Sequence, residues 1–329
     1  MTVRYAFKLV VVLLVWAAIN PVYAQTWPNK PIKIIVSSAG GGAPDILARL
    51  TGDRLSRALG QQMIVDNKPG GDNVIGAQAA ARSAPDGYTF FFATAAALSS
   101  NPNTFKSLPY DPERDFQAVG MIGINEFVLL VHPSLPVNSL TELMSYDRLH
   151  PGSINIATDG TRSYAGLLAQ YLNKILGTSM TLVPYARMPE GIQDAVAGRT
   201  QATLIAIPVA APRMKSGDLR AIAQTGEKRI SAYPEIPTVA ETVSCAACKN
   251  FFYPGWFALV APTGTPAAII RRMNQELDKV LKDPEIQKRF REFAVNSDGA
   301  GTPDTTTAFI RTQRAAWALL AKEIQLVAE

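Results

Sequence analysis

Residues 31–36 read Pro-Ile-Lys-Ile-Ile-Val, a β-rich apolar run that breaks at Ser37-Ser38-Ala39-Gly40-Gly41-Gly42. Ile46, Leu47, Leu50, Leu55 and Leu59 then fall on one face, which predicts a helix over 44–59 closed by Gly60 as a left-handed cap. A strand over 63–66, a Pro-Gly-Gly loop, an alanine-rich helix over 75–83, a Pro85-Asp86-Gly87 turn and a strand over 88–93 follow. The same alternation returns further on, with strands at 127–131, 154–157 and 181–183 and a helix over 163–176. A last strand at 257–260 leads into a helix over 266–281, where Thr265 is placed to N-cap and Pro266 to take the first position. Residues 303–327 read as one amphipathic helix, and no repeat of fixed period appears. Strands separated by helices predict parallel α/β units. Two α/β lobes with a binding cleft between them is the architecture this pattern draws.

One segment stands outside the pattern. Arg4 and Lys8 precede an apolar run over 9–19, and Pro21 precedes Val22-Tyr23-Ala24. This is the layout of a secretory signal peptide over 1–24, cleaved near Ala24. A membrane anchor would need about 20 apolar residues. Removal of Arg4 and Lys8, with no acid among residues 1–24, takes the formal charge from +5 to +3. The remaining cations around 271–291 alternate with acids as on a solvated helix face, so a nucleic-acid groove is not indicated. A hydrophobic fraction of 47% rules out disorder, and only 2 Cys and 2 His argue against zinc, iron–sulfur or disulfide-framework proteins.

The strand-to-helix passage through Ser37-Ser38-Ala39-Gly40-Gly41-Gly42 to Asp45 is the most informative local feature. Glycines let backbone approach a ligand, and a helix N-terminus favours an anion. The passage lacks the lysine of a nucleotide-binding P-loop and the third glycine of a dinucleotide fingerprint, and Asp45 would repel a pyrophosphate. A carboxylate site is the sharper reading, a plain tight turn the blander one. A second strand-end loop, Thr158-Asp159-Gly160-Thr161-Arg162-Ser163-Tyr164, offers hydroxyls, N–H groups and one arginine. Arg162 there is either a carboxylate clamp or a solvated first-turn residue. Cys245 and Cys248 form a C-x-x-C with no helix behind it for redox chemistry and no second pair for zinc; a local disulfide or two free thiols remain. His132 and His150 lie at loop edges, and Asp111/Glu113 and Asp283/Glu285 flank prolines, so no catalytic constellation stands out.

The chain resembles the Bug-type solute-binding proteins of tripartite tricarboxylate transporters. The resemblance rests on residues 27–36 with the glycine loop and Asp45, on 66–70, 73–77, 84–89 and 108–112, and on 132–137, 183–185, 237–241 and 261–266. It implies a two-lobed α/β periplasmic binding protein of type II-like architecture. Its first lobe spans 25–125 and 252–329, with a second lobe inserted over 126–251. It also implies a monomer without cofactor that closes on a small carboxylate and delivers it to membrane permease subunits. The residues carried over are Ser37, Ser38, Ala39, Gly40, Gly41 and Asp45, with the Thr94-Ala95 turn, and Thr158, Gly160, Thr161, Arg162, Ser163, Tyr164 and Tyr185. Departures from the family pattern are Ser37-Ser38, the Thr161–Tyr164 segment, Arg187 after Tyr185, and an apolar stretch around Ala206. They lead us to expect that Arg162 or Arg187 meets a second carboxylate. Tyr164 and residues 205–208 would receive the body of an aromatic or medium-chain dicarboxylate, with citrate fitting less well. A loaded sensor docking on a membrane kinase and a carboxylate-processing enzyme of the same fold are the alternatives.

Overall fold

The computed structural model describes residues 27–185, 187–230, 232–243, 248 and 251–328. The expected signal peptide lies outside them. Among the described residues no helix is long and apolar enough to cross a membrane.

In chain order the strands are β1 (Ile32–Val36), β2 (Met63–Asn67), β3 (Thr89–Thr94), β4 (Phe116–Asn125), β5 (Phe127–Val131), β6 (Asn155–Thr158), β7 (Thr181–Pro184), β8 (Ala202–Ala206), β9 (Arg220–Gln224), β10 (Gly255–Pro262) and β11 (Val295–Asn296). The helices are α1 (Ala43–Leu59), α2 (Val74–Ala81), α3 (Asn101–Thr104), α4 (Leu140–Leu149), α5 (Tyr164–Leu176), α6 (Met188–Val196), α7 (Ile207–Ser216), α8 (Val239–Thr242), α9 (Ala267–Leu281), α10 (Pro284–Glu292) and α11 (Pro303–Glu323). They build two sheets, a six-stranded β11-β4-β10-β3-β1-β2 and a five-stranded β7-β6-β8-β5-β9. In the first, β1 runs parallel to β2 and β3, and β10 returns antiparallel between β3 and β4. In the second, β6 runs parallel to β7 and β8 while β5 is antiparallel to β8 and β9. Each sheet thus carries three neighbouring parallel strands whose C-terminal ends open on one side, where open α/β sheets bind ligands.

Burial on both faces explains the continuous apolar strands. Phe90 and Phe92 enter a core with Ile32, Ile34, Leu47, Leu277 and Phe290, while Phe91 enters one that runs on into the second sheet through Leu129, Leu167 and Leu204. β4 has no clean apolar alternation because it carries Gly120 and Gly123. A Cβ on Gly120 would lie 2.9 Å from Ala300 Cβ and one on Gly123 2.6 Å from Val295 Cγ1, so close packing dictates glycine there. Gly60 ends α1 at φ 68°. Thr265 does not cap α9 as its position suggested. Pro266 is the N-cap residue, and the Thr265 hydroxyl donates to Pro262 O at 2.8 Å within the preceding turn.

The two sheets are joined by an aromatic cluster. Tyr164, the first residue of α5, lies 4.4 Å ring to ring from Trp317 of α11 and stacks on Phe127 at 5.3 Å. Its hydroxyl donates to Pro254 O at 2.5 Å and accepts from Trp317 Nε1 at 3.3 Å. Tyr253 and Phe251 extend the cluster to Tyr171. Tyr164, expected in the cleft, is therefore core: it is 8% exposed, and burial holds its hydroxyl protonated far above the usual tyrosine range. A bulky ring at the first position of a helix that abuts another domain gains more from desolvation than from lining a wet cleft. Cys248 precedes Phe251 of this cluster by three positions. Cys248 is fully buried and disulfide-bonded, and Cys245, its only other cysteine, lies outside the described residues.

Trp317→Ala is expected to lose about 3–5 kcal/mol of unfolding free energy. Tyr164→Phe is expected to lose roughly 1–3 kcal/mol, because Pro254 O and Trp317 Nε1 would each be left buried without a partner. Denaturant unfolding checks both, and a Tyr164→Phe variant as stable as the parent contradicts the role given to its hydroxyl.

Candidate functional site

Three loops from the first sheet meet at the strand ends. The one after β1 is shaped from below by Asp45, which is 3% exposed. Its carboxylate accepts from Gly41 N at 2.8 Å and from Asn67 Nδ2 at 3.0 Å, and pairs with Arg49 Nε at 2.9 Å. Burial alone would raise its pKa, but the bonds from Arg49, Gly41 and Asn67 outweigh that and hold it below the usual carboxylate range. Asn67 Nδ2 also reaches Ser38 O at 3.0 Å. Asp45, expected at the ligand, thus spends its carboxylate on the loop it supports. The same bonds leave the N–H groups of Ala39 and Gly40 without a partner among the described residues, and both residues are exposed. Gly76 of α2 closes the back: a Cβ there would lie 2.7 Å from Ser37 Cα.

The loop after β2 contains a run of left-handed backbone, Gly70, Gly71, Asp72 (φ 49°) and Asn73 (φ 76°). Asn101 Nδ2 braces it on Asp72 O at 2.7 Å. Asn73 is the junction of all three loops. Its Oδ1 accepts from Ser37 Oγ at 2.7 Å and Thr94 Oγ1 at 3.3 Å, and Thr94 Oγ1 in turn accepts from Ala97 N at 3.3 Å. With its oxygen committed, the Asn73 Nδ2 donor has no partner among the described residues. Reasoning from residue types missed Asn73; the clue was a Gly-Gly-Asp-Asn run, rich in residues that tolerate left-handed backbone, directly after a buried strand. Ala95 is buried beside this junction. Below it Tyr110 donates to Ala97 O at 2.7 Å, and burial, partly offset by the bond from Asn101, pushes its hydroxyl up to about 12.

The second sheet presents the loop after β6. Ser163 caps α5, accepting from Gly166 N at 2.9 Å while its hydroxyl donates to Gly160 O at 2.8 Å. A Cβ on Gly166 would fall 2.0 Å from Gly160 O, so the helix can press against the loop only because residue 166 is glycine. Thr158 is fully buried and Thr161 exposed. Arg162 crosses to the first lobe and donates from Nη1 to Thr104 O at 3.3 Å. Arg187 does not join it. Its side chain is 77% exposed and pairs with Glu190 at 3.5 Å along α6, where Arg187 is the N-cap residue in the loop after β7. Tyr185 lies over Gly191 and its hydroxyl donates to Asp194 Oδ2 at 2.7 Å. Ala206 is the N-cap of α7, and the neighbouring Ile207 is fully buried.

Two acids complete the electrostatics. Asp159, at the end of β6, has its pKa raised first by burial, against the pull of the Ser163 hydroxyl, with a further push from the charge of Asp72. Asp72 is raised by burial alone. Both residues are exposed to water on one side. Among the described residues no group of three or more His, Cys, Asp or Glu could hold a metal ion. A concavity of about 540 Å³ lies elsewhere, lined by Phe105, Lys106, Tyr110, Arg114 and Arg314. It includes none of the strand-end loop residues, so donor geometry and not volume identifies the site.

Residues 47–326 match the family described as tripartite tricarboxylate transporter family receptor. Protein BugT of Bordetella pertussis is 32% identical over 304 residues, with 92% of each chain covered. Among solved structures, R. palustris Rpa4515 with adipate aligns at a TM-score of 0.84 and 29% identity, over 92% of this chain and 100% of that one. The periplasmic binding protein BugD aligns at 0.81 and 26%, over 92% and 100%. With its paired sheets, its strand-end loops and this match over most of its length, the chain belongs to the tripartite tricarboxylate transporter receptors of the Bug type, two-lobed solute-binding proteins.

Proposed function

We propose that this protein captures a medium-chain dicarboxylate in the periplasm, after removal of residues 1–24, and releases it unchanged to the membrane subunits of a tripartite transporter. The single observation that supports this most is the donor set left unspent at the first-lobe loops: the Ala39 and Gly40 N–H groups beside Asn73 Nδ2. Such a set fits one carboxylate. Arg162, which reaches over from the second lobe to Thr104 O, is the cation we assign to the other. The adipate held by the Rpa4515 relative is in keeping with that length. With Tyr164 in the core, no ring from α5 is left to receive an aromatic body, so an acyclic chain is the better fit. Asp72 and Asp159 add negative charge beside the site, which disfavours a third carboxylate such as that of citrate. The division into a first lobe over 25–125 and 252–329 and a second over 126–251 is part of this reading.

Calorimetry of the exported form against mono-, di- and tricarboxylates is expected to rank a dicarboxylate of about adipate length first; tightest binding by citrate would contradict the charge argument. Arg162→Ala is expected to weaken that ligand by roughly 10- to 100-fold, the worth of a charge-assisted hydrogen bond, while Arg187→Ala stays within about twofold of the parent. Equal effects of the two substitutions would overturn the assignment. Asn73→Ala is expected to weaken binding at least about tenfold through loss of its donor and of the anchor for Ser37 and Thr94, and unchanged affinity would remove Asn73 from the site.

A further inference from the structure

Glu126 is the single residue between β4 of the first sheet and β5 of the second. Asn125 before it pairs with Gly255 in the first sheet, and Phe127 after it pairs with Ala206 in the second. Its carbonyl accepts from Ile207 N at 3.0 Å, which ties the crossover to the start of α7. Its side chain is 7% exposed, and Oε2 has no hydrogen-bond partner. That oxygen, in a carboxylate so buried, lacks the donor that a buried charge requires.

The surroundings explain what it needs. Gly226 lies against it: a Cβ there would be 2.9 Å from Glu126 Cγ and, at the same point, 3.4 Å from Gln224 Oε1. Gln224 is 1% exposed. Its Nε2 is spent on Ile236 O at 2.7 Å, and its Oε1, like Glu126 Oε2, has no partner. Two buried acceptors without a partner thus flank Gly226, and a proton on Glu126 would give that carboxyl a donor of its own. Among the described residues no cation offsets the charge. In the segment after β9, Glu227, Lys228 and Arg229 are exposed, and Arg229 pairs with Glu241. In α7 the residues nearest the crossover, Ile207 to Val209, are uncharged, and Arg213 pairs with Asp218. Burial therefore dominates and, against the pull of the residue's own N–H, pushes the carboxyl up to about 7.

We propose that Glu126 is a proton-linked hinge residue: it carries a proton in the lobe arrangement described here, and its ionisation favours an arrangement in which the crossover is open to water. This rests on the reading that the lobes move about a ligand, and it makes that movement take up a proton. The sign follows from the two states. A hydrated crossover returns the carboxyl to its ordinary range, so the arrangement described here is favoured in acid. It loses ground as pH rises from that range to about 7, and the loss is complete above. Full linkage would shift the equilibrium by roughly 300-fold across that window.

The test uses the whole protein without ligand. Infrared difference spectra between pH 5 and 9 read the carboxylic C=O stretch, and small-angle X-ray scattering over the same range reads the separation of the lobes. The parent is expected to show a protonated-carboxyl band that disappears near pH 7, with its maximum dimension widening in step. Glu126→Gln should lack both changes. Glu126→Met, apolar and of similar length, should lack them too and serves if the glutamine variant does not fold. Absence of the band in the parent, or the same widening in parent and variants, overturns the proposal. Neither readout needs a ligand, so a carboxylate panel without a binder would sink the functional reading and leave this one standing.

Discussion

The packing of Tyr164 against Trp317 is the contact on which the cleft depends. It places the first residue of α5 inside a core that belongs equally to the first lobe, with its hydroxyl bonded to Pro254 O and Trp317 Nε1. Everything immediately before it is then constrained. Ser163 caps the helix, Gly160 is drawn under Gly166, and Arg162 emerges where it can reach Thr104 of the facing lobe. A ligand loop carried on such a short tether from a dry aromatic contact is held by packing, with little left to loop flexibility.

The first-lobe loops are built on a different principle. There, side chains at the back take up the groups that would otherwise compete with a ligand. Asp45 consumes the Gly41 N–H, and Asn73 consumes the hydroxyls of Ser37 and Thr94. What is left facing the strand ends is a small number of donors with fixed directions, the preorganisation that in the proposed reading would let a weakly charged site hold a carboxylate. In that reading the acids Asp72 and Asp159 would limit the ligand's charge.

Much of this was legible in the sequence, for identifiable reasons. The runs at 31–36 and 127–131 are strands because their apolar residues are buried on both faces, and Gly60 ends α1 at positive φ. The strand-end glycine loop announced itself because a buried strand, glycines and a helix start are adjacent in sequence. What escaped depends on partners distant in the chain. β4 is hidden by Gly120 and Gly123, whose need for glycine comes from Ala300 and Val295. Tyr164 reads as a cleft residue until Trp317, 153 positions on, is seen to cover it. Thr265 has a capping residue's position but spends its hydroxyl on Pro262 O. Arg162 and Arg187 look equivalent in sequence; one crosses the cleft and the other lies along its own helix. Asn73 matters because three loops converge on it, which no local pattern encodes.

The central claim is that the unspent donors at Ala39, Gly40 and Asn73 receive one carboxylate of a ligand whose other end meets Arg162. A crystal structure grown with the dicarboxylate that binds most tightly tests it directly. One carboxylate is expected within hydrogen-bonding distance of the Ala39 or Gly40 N–H and of Asn73 Nδ2, with the second directed at Arg162. Ligand density seated elsewhere, for instance in the concavity around Phe105, Tyr110 and Arg314, would contradict it.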